Sequence, residues 1–296
     1  MSARDAAPPV IGTQPASARI QGRLFQFAMF ASLAIGIVSL VTLLVQVFTK
    51  GSSRLNGDLV NNFPSSNPDI AGVQSALFGT LWVMAVVAAT CIPIGVGAAI
   101  YLEEYADERR WYNRLIELNI QNLAAVPSIV YGILGLAFLV RGFADLGFTV
   151  LAGGLTLSLL VLPIVIISAR EAIRAVPDSI RQGSMALGAT QWQTIRRQVL
   201  PAAIPGMATG SILALSRAIG EAAPLVLLGA LTFITFNPEG LDSSFTVLPI
   251  QIFNWISRPQ EEFKVVAAAA IIVLLLILLA MNAGAIYLRN RYQRKW

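Results

Sequence analysis

Long apolar runs, each closed by a short cluster of charge, repeat along this chain. Leu24–Val47 is one, a second lies within Ile70–Leu102, and a third covers Leu118–Val140. Others follow at Leu146–Ala169, Pro205–Phe236 and Val265–Leu288. Each reaches or exceeds the roughly 20 residues with which a helix crosses the hydrocarbon core of a bilayer. The pattern predicts an all-α membrane protein of six transmembrane helices. Between the runs, Lys50–Asp69 carries Gly, Ser, Asn and Pro and reads as an external loop. Glu103–Arg110 reads as a solvated, charged connection.

Composition agrees. Of 296 residues, 56% are hydrophobic and 12% charged, which no soluble domain of this size matches. Charge then orients the spans. Fifteen of the 21 basic residues fall on one side under this topology, including Arg109, Arg110, Arg114, Arg170, Arg174, Arg181, Arg196 and Arg197. The positive-inside rule places that side, and both termini, in the cytoplasm. The net charge of +5 is thus a mark of topology, not of nucleic-acid binding. The first run, 24 residues long and without a clean small-residue cleavage site, reads as a retained span rather than a secretory leader. Four segments are expected: a disordered tail over 1–22, a first helix and external loop over 23–71, a bundle of five spans over 72–288, and a basic tail over 289–296.

Candidate chemistry concentrates in two places. Arg217 and Glu221 are the only charges in Pro205–Phe236 and stand four residues apart, on one helical face. A charge at the bilayer centre costs about 2.5–3.5 kcal/mol, so such residues pair or line a cavity. About 1.5 Å per residue from Pro205 puts Arg217 roughly 18 Å along its helix, near mid-membrane. Its planar fork suits oxyanions and stays charged at any relevant pH. The alternative is a structural ion pair without substrate contact. Pro127 is expected to kink the third span, with Gly132 and Gly135 packing closely beside it. Gly206 and Gly210 form a small-xxx-small pair that offers a weak sign of a subunit interface.

The second place is the longest connection, Arg170–Ala203. Pro177 ends what precedes it, and Asp178 is placed to cap a short helix over Ser179–Leu187. Gly188 suits a left-handed helix end. Thr190 and Gln193 are spaced as a capping box opening a second helix that ends near Pro201. The expectation is a helical hairpin exposing Met185, Ala186 and Leu187. No histidine, one cysteine (Cys91), and no Gly-Lys-Ser/Thr phosphate loop among three lysines exclude histidine metal sites, an internal disulfide and an intrinsic ATPase. No cofactor is expected, and the absence of Gly-x-Ser-x-Gly or paired membrane aspartates argues against an intramembrane hydrolase.

These residues resemble a family. Gln182-Gly183-Ser184-Met185-Ala186-Leu187-Gly188, nine residues, then Gln198-Val199-Leu200-Pro201 is similar to the EAA loop of ABC importer permeases. The glycine and Leu-Pro match in register; the opening Glu-Ala-Ala is replaced by Gln182-Gly183-Ser184. Ala125-Val126-Pro127-Ser128-Ile129-Val130-Tyr131-Gly132 and Arg217-Ala-Ile-Gly220-Glu221-Ala-Ala-Pro224-Leu225 resemble signatures of phosphate-specific permeases, the PstA type rather than the PstC type. The resemblance implies the type I ABC importer permease fold over roughly 70–288. It also implies three kinds of partner besides membrane lipid. These are a second, PstC-type permease subunit, two copies of an ATP-binding subunit, and an extracytoplasmic phosphate-binding protein. Pro127, Ser128, Tyr131, Arg217 and Glu221 would line the substrate pathway. Gln182–Gly188, Leu200 and Pro201 would couple to the ATPase, and the chain itself would be no enzyme. A permease for sulfate, molybdate or tungstate is the alternative; a self-standing channel would leave the hairpin without a role.

Overall fold

A computed structural model describes residues 16–107, 109–142, 144–230 and 233–292; residues 1–15 of the expected tail, and 293–296, lie outside the described residues. All regular elements among the described residues are helices, without strands, and the chain divides into two units between Thr49 and Lys50. The first unit holds helix α1 (Ala16–Gly51) up to that boundary, a single apolar helix of 36 residues. It starts inside the segment 1–22 that was expected to be a tail.

The second unit is a bundle. Its helices are α2 (Gly57–Asn61), α3 (Gln74–Ile100), α4 (Trp111–Ala125), α5 (Ser128–Leu134), α6 (Val150–Arg174) and α7 (Asp178–Ala186). Then come α8 (Gln191–Thr194), α9 (Leu200–Ile219), α10 (Ala223–Leu228), α11 (Leu248–Ile256) and α12 (Glu261–Tyr292). Parallel α3 and α6 form the centre, and α9 packs antiparallel against α6. Val83, Val87, Leu157, Val161, Val165, Ala214 and Ala218 make their shared core. Backbones approach closely here: a Cβ on Gly154 of α6 would lie 2.5 Å from the Val86 side chain. Thr90 and Ser158 hydroxyls meet across α3 and α6 at 2.6 Å, and Ser216 donates to Asn282 Oδ1 across α9 and α12 at 2.7 Å. Such polar contacts hold membrane helices together at about 0.6 kcal/mol each.

Several sequence expectations change. The 50–69 segment is ordered: α2 buries Leu59 in a cluster with Val73, Leu248, Trp255 and Phe263, and Arg54 Nη2 donates to the Pro68 carbonyl at 2.7 Å. The third span is broken, not kinked: α4 and the helix from Ser128 to Val140 meet at 106°. Proline alone does not explain this, since Pro93 and Pro163 sit inside unbroken α3 and α6. The angle follows from packing, α4 lying on α6 while α5 lies on α10. With the broken pair counted once, six helical spans among the described residues are long and apolar enough to cross a membrane. Gly206 and Gly210 face Ala172 and Ser168 of α6, where added Cβ atoms would approach to 2.7 and 2.0 Å. They close an internal contact between α9 and α6.

Candidate functional site

The expected continuous helix through Arg217 and Glu221 is interrupted. α9 ends at Ile219, Gly220–Ala222 leave the helix, and α10 resumes with Pro224 in its first turn. The cause is local: Pro224 has no N–H for the helical ladder, its ring excludes the carbonyl four residues back, and it disfavours helix at Ala223. Proline is tolerated at a helix start, and the chain restarts there. Arg217 therefore closes the last turn of α9, where its charge complements the helix dipole. The four-residue pairing survives the break, with Arg217 Nε donating to Glu221 Oε1 at 3.3 Å. The partners are unequal. Glu221 is 18% exposed, in a crevice with Thr80, Met84, Leu157 and Val247, whereas Arg217 is 48% exposed. An inward carboxylate thus holds an outward guanidinium.

Both resemblance motifs meet here. Gly132 of α5 abuts the Pro224 backbone so tightly that a Cβ would lie 2.7 Å from Pro224 Cα and O. The preceding residue, Tyr131, is buried and within electrostatic range of Arg217, its hydroxyl donating to the Leu123 carbonyl at 2.9 Å. That bond crosses the 106° break and fixes it. Pro127 forms the N-terminal boundary of α5, exposed, with Ser128 half-buried beside it. Five residues singled out in sequence therefore sit around two adjoining helix breaks.

The hairpin forms as the turn chemistry dictates, with two corrections. Pro177, not Asp178, is the N-cap of α7; Asp178 is in the first turn and binds Arg181. The helix opened by Thr190 does not end near Pro201. Thr190 accepts from Gln193 N and the Gln193 side chain accepts from Thr190 N, a complete capping box. From there α8 continues through a widened π segment (Ile195–Val199) into α9. Widening before Pro201 absorbs the missing donor. Gly188 adopts φ +85°, as its position requires.

None of α7 is buried; Met185 is half-exposed and Leu187 91% exposed, beside exposed Gln182, Gly183, Ala186 and Gly188. Ser184 instead faces inward and bonds Thr194 Oγ1 at 2.9 Å. Leu200 and Pro201 are not brought to this face: Leu200 packs near Ala169, Ile173 and Val176, and Pro201 lines an apolar groove with Ile92, Val96 and Met207. The charged connection is solvated only in its second half, where Asp107, Arg109 and Arg110 are exposed. Glu103 and Glu104 are 15% and 8% exposed and take arginine partners from α6 and α7. Arg181 is bound within the chain to Glu104 at 2.8 Å. Nothing in local composition flagged these acids, whose partners lie 67–77 residues away.

An ionisable pair at a helix break, inside a bundle of spans that projects an exposed hairpin, defines a multi-pass membrane transport component. The chain belongs to the family described as binding-protein-dependent transport system inner membrane component, whose model matches residues 91–293. Among its relatives, the probable ABC transporter permease protein YqgI of Bacillus subtilis is 31% identical over 80% of this chain and 77% of its own length. The phosphate transport system permease protein PstA 1 of Mycobacterium tuberculosis is 33% identical over 82% and 80%. PstA of Haemophilus influenzae is 31% identical over 90% and 92%. The fold is that of a chain of a bacterial alginate ABC transporter, with TM-score 0.69 at 15% identity, covering 94% of this chain and 98% of that one. A chain of the MetNI methionine ABC transporter gives 0.60 at 17% identity over 74% and 95%.

Proposed function

We propose that this chain is the permease subunit of an ATP-driven importer that carries inorganic phosphate across the cytoplasmic membrane. The observation that carries the reading is the Arg217–Glu221 pair at the α9–α10 break, packed against the broken span that holds Tyr131. Relatives of PstA name support the choice of phosphate. One ABC importer permease does not enclose a pathway, and half-exposed Arg217 is placed for a second permease subunit to complete its surroundings. A relative named PstC 2, 28% identical, is a protein of the partner kind.

In this reading Arg217 receives the oxyanion when the pathway opens, using the terminal nitrogens that its Nε contact leaves available. Glu221 neutralises the guanidinium between turnovers and, as a nearby carboxylate, shortens the stay of phosphate. The Tyr131–Leu123 bond holds the neighbouring break in shape. The exposed face of α7 enters a groove on the ATP-binding subunit, a helix-in-groove contact anchored by Met185 and Leu187. An extracytoplasmic binding protein delivers the substrate, and two ATP-binding subunits drive the cycle.

The test is ATP-dependent uptake of labelled phosphate by the four kinds of subunit reconstituted together, challenged with excess sulfate or tungstate. Uptake that resists both competitors supports the reading. Suppression by either overturns the substrate, and no ATP-dependent anion uptake by an assembled complex overturns the importer.

A further inference from the structure

Two consecutive acids at the end of α3 join parts of the molecule that the chain itself keeps apart. Glu103 accepts from Arg170 Nε at 2.9 Å and from Arg174 Nε and Nη2, each at 3.0 Å, all on α6. Arg170 Nη1 reaches on to Glu117 Oε1 of α4 at 2.6 Å. Glu104 turns the other way and accepts from Arg181 Nε at 3.1 Å and Nη2 at 2.8 Å, on α7. Arg181 also donates to the Ile173 and Val176 carbonyls at 3.0 and 2.6 Å. Gln191 Nε2 of α8 donates to the Glu104 carbonyl at 2.6 Å. Both acids lie in a π segment, Tyr101–Tyr105, whose wider turn separates adjacent side chains onto different neighbours.

We propose that Glu104 and Glu103 are positioning residues of an ion-pair relay that carries movement of α7 to the broken span. Its order is Arg181, Glu104, Glu103, Arg170, Glu117; α4 then delivers the movement to the break at Pro127 and Tyr131. Four of the five side chains are at most 16% exposed, so solvent and salt screen them little and their geometry is fixed. Removing one partner strands a largely buried charge, which makes the relay resist separation while its ends shift together. The covalent route from α7 into α6 passes through only Ala175–Pro177 and reaches α6 alone. The relay adds α3 and α4. The inference rests on reading α7 as the ATPase-docking helix.

The experiment uses the complete complex in vesicles, with ATP hydrolysis and uptake of labelled inorganic phosphate measured together. Glu104→Gln and Glu117→Gln act at opposite ends of the relay, and Glu104→Arg combined with Arg181→Glu reverses one pair. Expected is hydrolysis within about two-fold of the unaltered complex, with uptake per ATP down at least ten-fold in each single variant. The reversed pair should recover at least half of the ratio. Unchanged uptake per ATP in Glu117→Gln overturns the relay, because this half-exposed residue tolerates substitution without loss of the fold. Hydrolysis and uptake falling in proportion also overturns it, since that is lost docking or assembly. Should the single variant at Glu104 fail to assemble, Glu117→Gln decides alone. Failure of the unaltered complex to import phosphate would instead sink the parent reading, which keeps the two failures distinct.

Discussion

Replacing Gly132 by alanine should separate the two broken spans. The new Cβ would lie 2.7 Å from Pro224 Cα and O and 3.1 Å from its carbonyl carbon, all backbone atoms that no rotamer change can move. An ordinary contact needs about 3.5–4.0 Å, so α5 and α10 must part by roughly 1 Å. Overpacking of this kind costs about 1–3 kcal/mol. Alanine in a helix returns about 0.8–1.0 kcal/mol relative to glycine, which leaves a net loss of up to about 2 kcal/mol. Gly97→Ala is the control: it is also helical, and its Cβ meets nothing within 4 Å. Only the propensity gain applies there, so this variant should be stabilised. Thermal unfolding of the detergent-purified chain should therefore move in opposite directions, by about 2–4 °C per kcal/mol for a chain near this size. Equal upward shifts in both variants would refute the close-packing argument. A parallel loss of phosphate uptake in Gly132→Ala, with Gly97→Ala active, would place the contact in the transport cycle.

Two further outcomes follow from the hairpin. Leu187→Asp, at 91% exposure, should leave the unfolding temperature of the isolated chain within about 1 °C while abolishing capture of the ATP-binding subunit; capture at unaltered affinity would contradict the docking assignment. Thr190→Ala removes the capping box and should cost about 1 kcal/mol locally, visible as faster hydrogen exchange over α8 with α6 unchanged; equal exchange in the two proteins would show that the box contributes nothing.

What the chain discloses by itself divides by sequence distance. The spans are legible because each apolar run is long and closed by charge, and the hairpin because Pro177, Gly188, Thr190 and Gln193 act on their immediate neighbours. The Arg217–Glu221 pair is legible because two charges in an apolar run have few alternatives to each other. The break between them was available too, since Pro224 cannot continue the helix, but the apolar run through Phe236 masked it. The 106° angle at Pro127 was not available, being set by α5 against α10 and α4 against α6. Nor were the roles of Glu103 and Glu104, which look like any solvated acidic pair until residues 170–181 fold back against them. Gly206 and Gly210 carried a pattern common to many helix contacts, and only their facing partners Ala172 and Ser168 show which contact it is.

The central claim is that Arg217 handles the anion. The most direct measurement is labelled phosphate uptake by complexes carrying Arg217→Gln, normalised to the amount of assembled complex and set beside the unaltered protein. The account predicts uptake reduced by at least about 100-fold, equivalent to roughly 2.7 kcal/mol, with assembly intact. Unaltered uptake in Arg217→Gln would leave the pair a structural brace and contradict the account.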